Sequence, residues 1–147
     1  MMSKQLEYAA FHLMRKLFQS HTAAWQKAIP ELTKPQYAVL HAVSNQPGIE
    51  QVELMDASVS TKATLAELLV RLEKRGLIYR QQGESDKRRR FVFLTDDGQA
   101  LLTSVSQVAH DIDEQFLNRL EKTQRQALVE SLKVLTSGAS SHSESLN

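Results

Sequence analysis

The chain has 147 residues, a formal net charge of +1 and no cysteine. That length suits one domain, or one domain with a dimerisation element, and the missing thiols exclude disulfides, thiolate zinc sites and redox sensing at cysteine. The first residues are broken by Lys4, Glu7, His12 and Arg15, and no run approaches the roughly 18 apolar residues of a membrane span, so a cytoplasmic protein without a membrane partner is expected.

Residues 3–29 read as one long helix, free of Gly and Pro until Pro30. Leu6, Ala10, Leu13, Leu17 and Ala24 make one apolar stripe, and Phe11, Met14, Phe18, Trp25 and Ile29 make a second about 100° round. Two apolar faces need two partners, one in the chain's own domain and one on a second subunit. Thr33 and Gln36 then fit a capping box with Pro35 inside the first turn, and Pro47-Gly48 marks a stop. The helix between them, about 34–45, should bury Tyr37, Leu40 and Val43. "IEQVELMDAS" reads as a further short helix with Val52, Leu54 and Met55 inward. Ser60 and Thr61 are cap candidates for a helix carrying Leu65, Leu68, Leu69 and Leu72 and ending at Gly76. Three helices joined by tight turns outline a helix-turn-helix.

After Gly76 the apolar period changes from helical to alternating. "LIYRQQ" and "RRFVFLT", joined by "GESDKR", predict a hairpin anchored through Phe91, Phe93 and Leu94. A helix-turn-helix with a hairpin attached is a winged helix. Residues 95–118 form a second long helix with Leu101, Val105, Val108, Ile112 and Phe116 in a stripe, and 122–135 a last amphipathic one. Residues 137–147 have little to bury and read as a disordered tail. The fold class is mainly α with a small β-hairpin: a winged helix-turn-helix over 31–95, flanked by dimerisation helices at 1–30 and 96–136. Their surplus apolar stripes point to a homodimer.

Charge is unevenly placed. Between Arg71 and Arg90 eight Lys/Arg face three acids, a local +5 that leaves −4 elsewhere. Such asymmetry is a footprint for a polyanion. Ser60, Thr61, Lys62 and Thr64 open their helix with hydroxyls and a cation separated only by Ala63, a pattern that permits close approach to a DNA groove. Lys87 to Arg90 is either a solvated turn that protects a sheet edge or a loop tip that inserts guanidinium into a minor groove.

"LTKPQYAVL", "STKATLAELLVRLEKRGLI" and "DKRRRFVFLTDDG" resemble the MarR/SlyA family of bacterial transcription regulators, most closely its HosA-like members. The resemblance covers nearly all the chain to about residue 136. It implies double-stranded DNA as partner, a D-x-R wing motif at Asp86 and Arg88, and recognition-helix contacts at Ser60, Thr61, Lys62 and Thr64. Lys87 and Arg89 are expected as phosphate contacts, while Arg90 has no assigned role. It also implies a small aromatic acid, hydroxybenzoate-like, that releases a repressor from a palindromic operator. The residues suited to hold that effector are Arg15, Phe18, His21 and Trp25 of the first helix and Tyr37 and His41 of the next. Core or interface packing is the competing account of His21, Trp25 and His41, and Arg15 and His21 lie about 120° apart on the wheel.

No resident cofactor is expected. Five histidines without i,i+3 or i,i+4 pairing make a poor metal signature, and no phosphate loop, nucleophile elbow or placed acid/base pair suggests an enzyme. The alternative function is an architectural or antisilencing DNA-binding regulator without a specific effector.

Overall fold

The computed structural model describes residue 5 and residues 8–145, with side chains through Ser137. Its elements run α1 (Ala10–Ala28), α2 (Lys34–Asn45), β1 (Ile49–Glu50), α3 (Gln51–Ala57), α4 (Lys62–Lys74), β2 (Ile78–Gln82), β3 (Arg90–Leu94), α5 (Asp96–Leu117) and α6 (Lys122–Ser145). They fall into two compact units that divide between Ile112 and Asp113, inside α5.

In the first unit, α1 begins at Ala10; Tyr8 and Ala9 are not helical, so the single helix expected over 3–29 is interrupted there, and Ala9 supplies no side-chain cap. Residues 1–4, 6 and 7, including Leu6, lie outside the described residues. The end of α1 is well fixed. Pro30 cannot continue a helix, Ile29 is buried, and the buried indole N–H of Trp25 donates to the Leu32 carbonyl at 2.8 Å. Thr33 and Gln36 then close the expected capping box on α2, which buries Val39, Leu40, Ala42 and Val43.

Residues 49 and 50 do not begin a helix, as their apolar context had suggested. They form β1, pairing Ile49 with Val92 and Glu50 with Phe91, so the hairpin becomes a three-stranded antiparallel sheet of order β1-β3-β2. Helix α3 starts only at Gln51. Leu54 points inward as expected, but Val52 is exposed, because two residues turn about 200° round a helix. Helix α4 buries Leu65, Leu68, Leu69 and Leu72 as its period requires, and its C-terminus is closed by Gly76 at φ +72°, a left-handed conformation that costs glycine little.

The sheet's inner face is set by Ile78, which pairs with Leu94 and is buried. Side chains alternate along a strand, so Val92, fully buried, anchors β3, and Phe91 and Phe93 turn to the outer face. There Phe93 stacks on Tyr79 with ring centroids 5.1 Å apart. Phe93 thus joins β2 to β3 as expected, from the outer face of the sheet. Thr95 caps α5 by accepting from the Gly98 N–H, and Asp96 and Asp97 occupy the first turn, where they complement the helix dipole.

In the second unit Arg125 of α6 donates to Glu114 at 2.7 Å and to Asn118 at 3.1 Å, tying the start of α6 to the end of α5. Helix α6 continues to Ser145, replacing with helix, as far as that residue, the disordered tail expected from 137. Extending a formed helix needs only one residue fixed per hydrogen bond, and no proline interrupts this stretch. Residues 146 and 147 lie outside the described residues.

Candidate nucleic-acid interface

Helix α4 is aimed by the turn before it. Ser58 is buried, its Oγ donating to the Leu54 carbonyl at 2.6 Å and lying 3.0 Å from Ser60 Oγ, while Val59 between them adopts φ +54° and is exposed. Ser60 is thus half-buried and helps close the turn, which separates it from the outward set to which it was assigned. Thr61, Lys62 and Thr64 are exposed as expected. The Thr61 hydroxyl caps the helix, accepting from the Thr64 N–H at 3.2 Å and donating to Thr64 Oγ1 at 2.9 Å. The cap and the candidate reading surface are the same two threonines.

The wing loop between β2 and β3 is a closed structure. Gly83 donates to the Arg89 carbonyl and Arg89 to the Asp86 carbonyl. A Cβ at position 83 would meet the Asp86 oxygen at 2.5 Å, so only glycine fits. Lys87 is exposed at the tip, and its carbonyl accepts from Gln82 Nε2 at 2.7 Å and from the Arg90 guanidinium. Arg90 also donates to the Arg89 carbonyl at 3.3 Å. The cation that sequence could not place therefore folds back onto the loop's own backbone.

Arg88 and Asp86 form the tip proper. One Asp86 oxygen accepts from the Arg88 backbone N–H at 3.0 Å and from Nε at 3.2 Å, and the other accepts from Nη2 at 3.3 Å. These bonds hold the Asp86 carboxyl below its ordinary range, the guanidinium first and the backbone N–H second. The Arg88 side chain is nonetheless 91% exposed. Arg89 is placed differently from a free phosphate contact. Its Nε and Nη2 bond the two oxygens of Glu50 at 2.9 and 3.0 Å, and its guanidinium lies 5.0 Å from the Phe91 ring centre. The hydrogen bond from Arg89 lowers the Glu50 pKa, and the pairing raises that of Arg89. Farther back, Arg80 makes a two-pronged bond to Glu73 at 3.0 and 3.2 Å, which lowers the Glu73 pKa. Between wing and α4 lies a cleft of about 430 Å³ whose walls include Lys62, Arg88, Arg89 and Arg90. The basic window is thus several differently engaged cations.

Sequence reasoning missed Glu50, since its link to Arg89 spans 39 residues and depends on β1 being a strand. It also missed Lys34. Its Nζ lies 3.1 Å from His21 Nδ1 and 5.8 Å from the centre of the Phe18 ring. Arg15 and Phe18 line a shallow depression of about 460 Å³; Trp25 and Lys34 line another of about 550 Å³; Thr22 and Gln26 are common to both. A ring series runs from His21 to Trp25 (6.3 Å), Tyr37 (5.2 Å) and His41 (5.8 Å). His41 Nδ1 also lies 3.3 Å from Asn45 Nδ2.

Among the described residues no helix is long and apolar enough to cross a membrane, and no group of three or more His, Asp or Glu could hold a metal ion. A capped helix following a tight turn, beside a three-stranded wing, defines a winged-helix protein. The MarR family model matches residues 32–89. The transcriptional regulator HosA of Escherichia coli O157:H7 is 52% identical over 125 residues, covering 85% of this chain and 93% of that protein. The chain belongs to the MarR family of DNA-binding transcriptional regulators. Among solved structures, the PcaV transcriptional regulator of Streptomyces coelicolor with its natural ligand is 29% identical (TM-score 0.86, covering 91% of this chain and 96% of that one). BpsR of Bordetella bronchiseptica, whose DNA binding is regulated by 6-hydroxynicotinic acid, is 30% identical (TM-score 0.83, 88% and 94%).

Proposed function

We propose that the protein is a cytoplasmic, homodimeric repressor released from a palindromic operator by a small hydroxylated aromatic carboxylate of the hydroxybenzoate type. Each subunit lays the N-terminal turns of α4 in a major groove, with Thr61, Lys62 and Thr64 outward, and its wing in the flanking minor groove. Half-site centres one helical turn apart, about 10 bp, suit a two-fold dimer.

The observation that carries the reading is Arg88, a guanidinium almost wholly exposed yet oriented by two bonds to Asp86, which also accepts from the Arg88 backbone N–H. Pre-orientation reduces the rotamer entropy lost on docking, and a narrow minor groove favours guanidinium. The effector side is supported by the α1–α2 region. Lys34 can meet a carboxylate, and Phe18 and Trp25 offer flat walls on the two adjoining depressions. The regulation of BpsR by a hydroxylated aromatic acid supports the same ligand class. Binding that favours subunit spacings incompatible with the operator would release DNA by population shift.

One titration tests the reading. With operator DNA at fixed salt, Arg88→Ala should lose about 1–3 kcal/mol of specific affinity while keeping its fold, and 4-hydroxybenzoate should release the wild type. Wild-type affinity in the variant would remove the wing from the interface, and no release by any of a panel of hydroxybenzoates would remove the effector.

A further inference from the structure

We propose that Glu50 is a specificity-determining residue that masks Arg89, so that each wing presents Arg88 to DNA while its neighbour is withheld from phosphate. The inference rests on the reading above, in which the wing meets the duplex.

Three observations carry it. First, the Glu50–Arg89 bond is two-pronged, with both carboxylate oxygens engaged at 2.9 and 3.0 Å, the arrangement that best satisfies a guanidinium. Second, the pair has a platform. Glu50 is paired across the sheet with Phe91, and the Phe91 ring lies 5.0 Å from the Arg89 guanidinium, so strand pairing and ring contact hold the cation on the outer face. Third, Glu50 is the one acid among the residues lining the cleft, beside Lys62, Arg88, Arg89 and Arg90. A carboxylate in a cleft built to meet a polyanion reduces raw attraction, so its presence there calls for another role.

Discrimination is that role. Binding to arbitrary DNA comes almost wholly from neutralising phosphates, whereas operator binding adds base-edge and shape contacts. Hiding one cation per subunit therefore removes proportionally more from non-specific than from specific affinity. Arg88 and Arg89 are adjacent, but their carboxylate partners differ in kind. Asp86 lies two residues away in the same exposed loop and leaves the Arg88 side chain 91% exposed, while Glu50 belongs to another strand and Arg89 is 48% exposed.

The test is a cycle in the full-length protein, measuring affinity against salt for operator and for a scrambled duplex of equal length. Wild type, Arg89→Ala, Glu50→Gln, the double variant and Arg88→Ala are compared, each checked for a cooperative thermal transition and wild-type helix content. Arg89→Ala alone, which frees the Glu50 carboxylate, should not steepen the log–log salt slope. Glu50→Gln should steepen it by about one per subunit and narrow the operator-to-scrambled ratio, and adding Arg89→Ala should restore the wild-type slope. A slope about one below wild type in the double variant, where neither charge remains, overturns the mask, since Arg89 would then be a working phosphate contact. Steepening that survives in the double variant overturns it too, as the effect would be loss of a negative charge alone. Arg88→Ala separates the failures: if it lowers operator affinity while the cycle is flat, only the mask falls; if it changes nothing, the wing reading falls and takes the mask with it.

Discussion

Arg80 shows at the scale of one residue why counting cations misjudged the basic window. It contributes to the local +5, yet its guanidinium is committed to Glu73 and lies 3.5 Å from Gln51 Oε1. Glu50, Glu73 and Asp86 each carry an arginine that lowers their pKa from ordinary values of 4.5, 4.5 and 3.8. A carboxyl whose folded pKa is depressed contributes stability above its unfolded pKa and loses it as pH falls through the folded value. The thermal midpoint should hold level from neutral pH to about 5 and then decline, with a shallower decline in Arg80→Met than in wild type. Calorimetry across that range is the measurement; equal slopes below pH 5 would show that the Arg80 pair does not contribute. The Arg88–Asp86 pair follows the D-x-R motif, whereas the Arg89–Glu50 pair was not legible in the sequence, because those two residues meet only across a strand pairing.

Among the elements, helices were the most readable. The leucine spacing of α4 and the capping box of α2 are local patterns, and the structure realises both. The two-residue strand β1 is too short to display an alternating pattern, and its Ile49 looked like the opening of a helix. Missing β1 hid both the third strand and the partner of Arg89. Caps also carry an energetic consequence. Thr61 ties the first turn of α4 by one backbone and one side-chain bond, so Thr61→Ala should cost about 1 kcal/mol in chemical denaturation. Thr61→Ser, which keeps the hydroxyl, should recover most of that loss; equal loss in both would show that the methyl, and not the cap, matters. For the proposed effector residues, the sequence offers residue types and not how they group. The wheel placed Arg15 and His21 apart, and the structure seats Arg15 in one depression and bonds His21 to Lys34 in neither stripe's plan.

For the whole molecule, the surplus apolar surface is the open account. Phe11 and Phe18 are 69% and 60% exposed, with Leu13 and Leu17 beside them on α1, and α6 separately exposes Val129, Leu132, Val134 and Leu135. Isolated exposed leucines are ordinary, but stripes along two helices are the mark of an interaction surface. Under the proposed homodimer, Leu17→Glu should shift sedimentation towards the single-chain species and weaken operator binding, because two half-sites are then no longer engaged together. An unchanged sedimentation coefficient would place Leu17 outside the subunit interface.

Trp25 gives the molecule an optical property. It is the chain's single tryptophan, sealed at the end of α1 with its N–H on Leu32 and its ring 5.2 Å from that of Tyr37. Ultraviolet emission excited at the red edge therefore arises from one address, beside the depression that Trp25 and Lys34 share. Quenching and anisotropy of that emission report on the helix junction, in the unlabelled protein, while it is free and while it is on DNA.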